Sequence, residues 1–334
     1  MKTLNSYISE GGFFDNVGVS NEEVKRNQVL EWLVNAGWIR KNDIDKLMIT
    51  RNGDIVVSGD RNTLIHSMHD THDTLALSDR PDLFPDHKFP EFVKISNCPS
   101  VSIRECELDS MEDFPAAHGT IILSKNNLKS FEGCPFEVIQ PRYGTMTSCM
   151  CAPENKLETL DGCPGCNKII VDNNPHLTRI GKMNKKRTIK KLSFRNCDLR
   201  SLVGLPAGFA NIESINLSGN KHLNIFDGNG IGKLLKNTNI INQLEIDADQ
   251  LRGVDEKEWE KSLGHRCFIY KLNLYNCDDE FIQSPQFRDF MTAMPTYSRL
   301  KTQIRAEYGS NPCSDPAGII NDYKHIAPIK IVQG

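Results

Sequence analysis

Apolar residues recur along this chain at a spacing that a helix alone or a strand alone does not produce. Ile189, Leu192, Phe194, Cys197 and Leu199 stand at relative positions repeated by Ile241, Leu244, Ile246, Asp249 and Leu251. Ile212, Ile215, Leu217, Asn220 and Leu223 follow with one extra residue before the last apolar position, and Ile269, Leu272, Leu274 and Cys277 follow as far as the polar one. The alternation in the middle of each unit turns two side chains to one face of a short strand. The Asn, Cys or Asp slot ends the strand and can bond the turn backbone. Shorter versions lie upstream at Val101/Ile103/Cys106/Leu108, Ile121/Leu123/Asn126/Leu128, Met150/Ala152/Asn155/Leu157 and Ile169/Val171/Asn174/Leu177. Strands are therefore predicted to start at Val101, Ile121, Met150, Ile169, Leu192, Ile215, Leu244 and Leu272, at intervals of about 19 to 29 residues. Ile55/Val57 and Val93/Ile95 read as degenerate copies.

This spacing is that of a leucine-rich repeat. A unit so short cannot bury its apolar side alone, so successive units must stack. The predicted fold is α/β, a leucine-rich-repeat solenoid with a concave parallel β-sheet, an N-terminal helical cap and a C-terminal helical cap. The residue between the paired apolar positions of each strand would line the concave face: Ser102, Ile122, Cys151, Ile170, Ser193, Asn216, Glu245 and Asn273. At about 4.8 Å per strand these would form a groove about 35 to 40 Å long.

A turn signature follows the strands. Phe131/Gly133/Cys134/Pro135, Leu160/Gly162/Cys163/Pro164 and Leu202/Gly204/Leu205/Pro206 correspond, with Met111/Phe114/Pro115 a looser copy. Gly with Pro favours a turn over a helix, so the early convex side should be turn-backed. The longer late units leave room for helices over 232–240 and 256–263. Residues 21–34 read as an amphipathic helix capped by Asn21 and stopped by Gly37. A second helix should open at Ser284 and Pro285 and run to about Tyr308 with Phe287, Phe290, Met291 and Met294 inward. Ile326 to Val332 reads as an edge strand. The organisation is a short leader over 1–10, a helical cap over 11–50, irregular or degenerate repeats over 51–100, repeats over 101–279, and a helix and tail over 280–334.

Composition adds exclusions. The net charge of −3 supplies no global field to recruit nucleic acid or a membrane surface. No apolar run is long enough to span a bilayer, and the first residues lack the apolar core of a secretory signal. The 11 cysteines are an odd number, which together with that missing signal suggests a reducing compartment. Cys149, Cys151, Cys163 and Cys166 have a spacing that could hold zinc. The repeat register, however, puts Cys163 in a turn slot and Cys166 in an apolar slot, as small core residues, and leaves only Cys149 and Cys151 facing the groove. His66, His69 and His72, with Asp70 and Asp73, could meet a metal on one helical face, but the segment reads as a polar connection. Cys277 with Asp279 has the Cys-x-Asp spacing of bacterial ubiquitin-ligase effectors; Cys277 occupies a repeat slot, and the Leu-Pro repeats of that class are missing. No P-loop, nucleophile elbow or zincin motif is present. No cofactor, metal or catalytic residue is expected.

Two features carry a family resemblance. The Asn-x-Leu strand end leading into a Gly-Cys-Pro turn, at Asn126/Leu128/Phe131/Gly133/Cys134/Pro135 and Asn155/Leu157/Leu160/Gly162/Cys163/Pro164, resembles leucine-rich-repeat proteins of large tailed phages. The resemblance covers about residues 1 to 210 and, more weakly, on to 280. Met1, Lys2 and Thr3 through Ile8, Ser9, Glu10 and Gly11 resemble the capsid-targeting peptide of T-even-type internal head proteins, which a prohead protease cuts after Glu. That resemblance implies a processing site at Ile8, Glu10 and Gly11, with cleavage between Glu10 and Gly11. The function expected is a non-enzymatic protein-binding module, phage-encoded, presenting its concave surface to a host or virion protein. The alternative is a structural or internal virion protein packaged in the head. Either places the chain in host cytoplasm or virion, with a protein partner and no nucleic acid.

Overall fold

The computed structural model describes residues 21–36, 48–49, 54–56, 74–84, 86–91, 94–96, 98–114, 117–135, 148–183, 189–205, 211–223, 238, 240–251, 268–276, 278–285, 287 and 329–332. Its main feature is a ten-stranded, all-parallel sheet built one strand per turn of chain. The strands are β3 (Thr74–Ser78), β5 (Cys98–Arg104), β6 (Ala117–Ile122), β7 (Cys149–Cys151), β8 (Lys168–Ile170), β9 (Lys191–Ser193), β10 (Asn211–Asn216), β11 (Ile240–Asp247), β12 (Phe268–Tyr275) and β13 (Ile329–Val332). They lie in chain order across the sheet, which defines a parallel-strand solenoid. A separate sheet holds β1 (Met48–Ile49), β2 (Asp54–Val56) and β4 (Lys94–Ser96).

All eight expected strand starts pair in the expected register: Val101 with Ile121, then Met150, Ile169, Leu192, Ile215, Leu244 and Leu272 in succession. These residues are buried, as is the second apolar row of Ile103, Leu123, Ala152, Val171, Phe194, Leu217, Ile246 and Leu274. Two expectations need correction. Residues 54–56 and 94–96 are strands, but they pair with each other, Ile55 to Ile95, outside the main sheet. The first strand of the main sheet is β3, which aligns Leu75 with Val101. The expected edge strand near the end is present: β13 adds parallel to β12, Leu272 opposite Ile329.

The polar slot binds one turn to the turn before it. Asn174 is fully buried. Its Oδ1 accepts the N–H groups of Asn155 (3.1 Å) and Leu157 (3.2 Å), and its Nδ2 donates to the carbonyls of Ala152 (3.0 Å) and Val171 (2.8 Å). Asn126, Asn155 and Asn220 likewise donate to the preceding turn, at Ile103, Leu123 and Phe194. Cysteine substitutes with a weaker donor: Cys197 Sγ donates to Val171 O at 3.4 Å. In the β11 unit the carbonyls of the preceding turn are taken by Gln250, one residue after the expected Asp249. Gln250 Nε2 donates to Leu217 O and Asn220 O of the preceding turn. A buried backbone amide left without a partner is costly, which explains why this slot must carry hydrogen-bonding groups. The residue before it adopts the left-handed conformation in turn after turn, at Glu105, Lys125, Glu154, Asn173, Asn196, Gly219 and Asn276. That conformation swings the chain sharply out of the strand and aims the slot residue inward.

The turns behind the strands repeat as well. Cys134 N bonds Phe131 O, Cys163 N bonds Leu160 O and Leu205 N bonds Leu202 O, closing tight turns. Ser110, Ser130, Thr159 and Ser201 each accept, through the side-chain hydroxyl, the backbone N–H two residues on. Gly162, with φ +77, lies where a Cβ would come within 2.3 Å of Phe131 O. Turns stack so closely there that no larger residue fits.

At the N-terminal end, α1 (Asn21–Asn35) buries Leu30, Trp32 and Leu33. Trp32 Nε1 donates to Leu83 O at 2.9 Å, and its ring meets Phe84 and Phe89, the latter packing on Phe114. Past β12 lies a short helix that the apolar pattern did not indicate, α2 (Asp279–Gln283), capped by Asp278 Oδ1 on Phe281 N at 2.6 Å. Asp278 is thus a helix cap, and Phe281 is buried against Phe287. Residues 286 and 288–308 of the expected second helix, residues 232–237, 239 and 256–263 of the expected later helices, and the His66/His69/His72 and Ile8/Glu10/Gly11 segments lie outside the described residues; Ile240, expected to end a helix, instead opens β11. None of the described helices is long and apolar enough to cross a membrane.

Candidate binding face

Side chains between the buried rows project to the other face of the sheet. Ser102, Ile122, Cys151, Ile170, Ser193, Asn216, Glu245 and Asn273 form one continuous row of cross-strand partners, extended by Ala76 on β3 and Lys330 on β13. Every expected face residue therefore lies in the same register row. Their exposure is uneven. Ile122, Cys151, Ile170, Asn216 and Glu245 are half-buried, whereas Ser102, Ser193 and Asn273 are buried. Short side chains in the row are covered by longer neighbours: Arg104 Nε donates to Ser102 Oγ at 3.2 Å, and Ser193 Oγ donates to Asp172 at 2.6 Å. Asn273 Oδ1 is buried without a hydrogen-bond partner.

Two further rows flank this one. The row two residues earlier runs Ser100, Thr120, Cys149, Lys168, Lys191, Ser214, Gln243 and Lys271. On the other side Arg104, Asp172, Arg195, Asp247 and Tyr275 follow the central row, with Asp247 opposite Tyr275. The repeat pattern singled out the central row alone. Period-two alternation carried one step further along each strand would have reached Lys168, Lys191 and Arg195.

The β10–β12 end is a network of acceptors. Glu245 Oε2 accepts Tyr275 Oη (2.8 Å) and Asn216 Nδ2 (2.9 Å), and Oε1 accepts Gln243 Nε2. Asp247 accepts Gly219 N and Asn276 Nδ2. Burial raises the Asp247 carboxyl above the usual range, against the lowering effect of those donors. Burial and the adjoining Glu245 raise the Tyr275 phenol.

Their surroundings raise the thiols of Cys149, Cys151 and Cys163. Burial, reinforced by the neighbouring Cys151 and Cys166, pushes the Cys149 thiol up to about 12. Burial and then Asp172 raise Cys151. Cys163 and Cys166 lie in the core, where their mutual hydrogen bond and burial hold Cys163 well above an ordinary thiol. A thiol so raised stays protonated at neutral pH and is a poor nucleophile. Among the described residues no group of three or more His, Cys, Asp or Glu is placed to hold a metal, so Cys149 and Cys151 are not joined by Cys163 and Cys166 in a site.

No family model, no curated protein and no solved structure matches this chain.

Proposed function

We propose that the chain is a leucine-rich-repeat protein of phage origin that acts as a non-enzymatic binding module. Its open sheet face meets a host or virion protein, with α1 and the segment after residue 280 serving as end caps. The observation that carries this reading is the unbroken row from Ser102 to Asn273, a surface about 34 Å long at about 4.8 Å per strand. Half-buried Ile122 and Ile170 within it offer apolar contact without contributing to the core behind. The two-row burial on one face supports the repeat reading, because the apolar core then lies behind the sheet and leaves the other face open.

The test is affinity capture from infected-cell lysate with the full chain and with an Ile122→Glu/Ile170→Glu variant. The variant should lose the captured partner and keep its thermal midpoint; parallel loss of both would sink the reading. The packaged-virion alternative rests on the Ile8–Gly11 run. Mass spectrometry of purified virions separates the two: absence of the chain removes the alternative, and a peptide beginning at Gly11 supports it.

A further inference from the structure

The open face has a charge pattern opposite to that of the chain. Across β5 to β12 its flanking rows hold five cations, Lys168, Lys191 and Lys271 on one side and Arg104 and Arg195 on the other. Its three carboxylates are Asp172, Glu245 and Asp247. The whole chain carries −3, so the face is a local reversal.

The two sets of charges are also bonded differently. Each carboxylate is occupied by donors of the chain itself: Ser193 Oγ and Arg195 N on Asp172, three side chains on Glu245, and Gly219 N with Asn276 on Asp247. The cations are not matched in this way. Lys168, Lys191, Lys271 and the Arg195 guanidinium form no ion pair and no side-chain hydrogen bond with a described residue. Lys168 and Lys191 stand directly opposite each other on β8 and β9. Like charges in that position oppose sheet pairing, so folding gives no reason for the pair. One row over, Ile122 and Ile170 flank Cys151 on adjoining strands.

We propose that the stretch of open face over β6 to β9 binds an extended acidic segment of a partner protein. Carboxylates of that segment meet Lys168, Lys191 and Arg195, and an apolar side chain seats over Ile122 and Ile170. This specifies the ligand of the protein-binding reading above and rests on it. A nucleic acid would find the same cations, but the open rows of β5 to β10 contain no aromatic ring on which a base could stack. Asp172 also stands among the cations and opposes a phosphate backbone.

Fluorescence anisotropy with the full chain tests the assignment. The probes are a labelled peptide of alternating Glu and Leu, its Lys and Leu counterpart, and a single-stranded oligonucleotide of matching charge. The acidic peptide should bind at least about tenfold more tightly than the basic one, and weaken several-fold between roughly 50 and 200 mM salt as screening shortens. Lys168→Gln/Lys191→Gln should weaken it about tenfold while the thermal midpoint holds or rises, since the opposed cations no longer repel. Tighter binding of the oligonucleotide, equal binding of both peptides, or no binding of the acidic one overturns the proposal. The lysate experiment separates the levels. If Lys168→Gln/Lys191→Gln keeps a partner that Ile122→Glu/Ile170→Glu loses, the acidic assignment fails and the binding face stands. If neither variant changes capture, the face reading fails with it.

Discussion

Replacing Asn174 by Leu asks how much of this fold depends on one side chain. Leu branches as Asn does but is bulkier, so the exchange removes the bonding and adds some crowding. Asn174 is fully buried and joins two N–H donors and two carbonyls of adjoining turns. Leu would leave the N–H groups of Asn155 and Leu157 without acceptors. At about 1 to 3 kcal/mol per buried unsatisfied group, these two alone amount to roughly 2 to 6 kcal/mol. That is a large share of the roughly 5 to 15 kcal/mol that stabilises a typical domain. Cys provides an internal control, because the chain already uses it in this slot: Cys197 Sγ donates to Val171 O, and its sulfur takes the Asn174 backbone N–H. Asn174→Cys should therefore lose about half as much as Asn174→Leu. Urea unfolding followed by circular dichroism measures both. A loss below about 1 kcal/mol for the Leu variant, or equal losses for Cys and Leu, would refute the claim that the slot acts through hydrogen bonding.

Further expectations concern glycine, acid and thiols. Gly162→Ala should destabilise by more than the 1 to 2 kcal/mol or so that a left-handed residue alone costs, and by more than Gly133→Ala. The added Cβ would meet Phe131 O at 2.3 Å in the first case and Glu112 atoms no nearer than 3.1 Å in the second; comparable midpoints would contradict this. Asp161 and Asp247 should act in opposite directions below neutrality. The Lys182 N–H and then the Thr159 hydroxyl lower Asp161, so its contribution is present above the unfolded pKa and disappears as pH falls through the folded one. Asp161→Asn should flatten the acid loss of stability. Burial raises Asp247, so its effect on stability worsens as pH rises from the unfolded pKa to the folded one, and Asp247→Asn should steepen the acid loss; thermal midpoints from about pH 3 to 6 decide. Cys149, held up to about 12, and buried Cys163 should resist iodoacetamide at neutral pH until the chain is unfolded, and rapid labelling of the native protein by peptide mass spectrometry would count against the thiol environments described.

The sequence made the repeating core legible because a strand of period two, a hydrogen-bonding slot and a returning apolar residue are each enforced by burial. The units that start at Val101 through Leu244 satisfy all three. The first strand of the main sheet escaped because Arg80 stands in its slot; the guanidinium donates to Asn35 O instead of bonding inward as Asn does. Ile55 and Ile95 were legible as strand residues, but the choice of sheet depends on distant chain segments and leaves no mark on local periodicity. The Asp249 to Gln250 correction has a similar cause: a longer side chain reaches the same carbonyls from one residue later. On the open face the central row followed from the apolar spacing, whereas the flanking cations did not, because no burial rule constrains them. The serine and threonine hydroxyls of the turns, two residues after the closing Leu at Leu108, Leu128, Leu157 and Leu199, form a periodic signal that the apolar pattern alone conceals.

The backward reach of the slot side chains gives the molecule an order of assembly. Asn126, Asn155, Asn174, Cys197, Asn220 and Gln250 each satisfy backbone groups of the turn made before their own. A chain leaving the ribosome N-terminus first therefore always carries one unfinished turn, closed only when the next has been synthesised. Removing turns from the back takes away the side-chain acceptors that serve the N–H groups of the turn left behind. β13, returning from far along the chain to pair with β12, is the last strand of the described sheet to be synthesised.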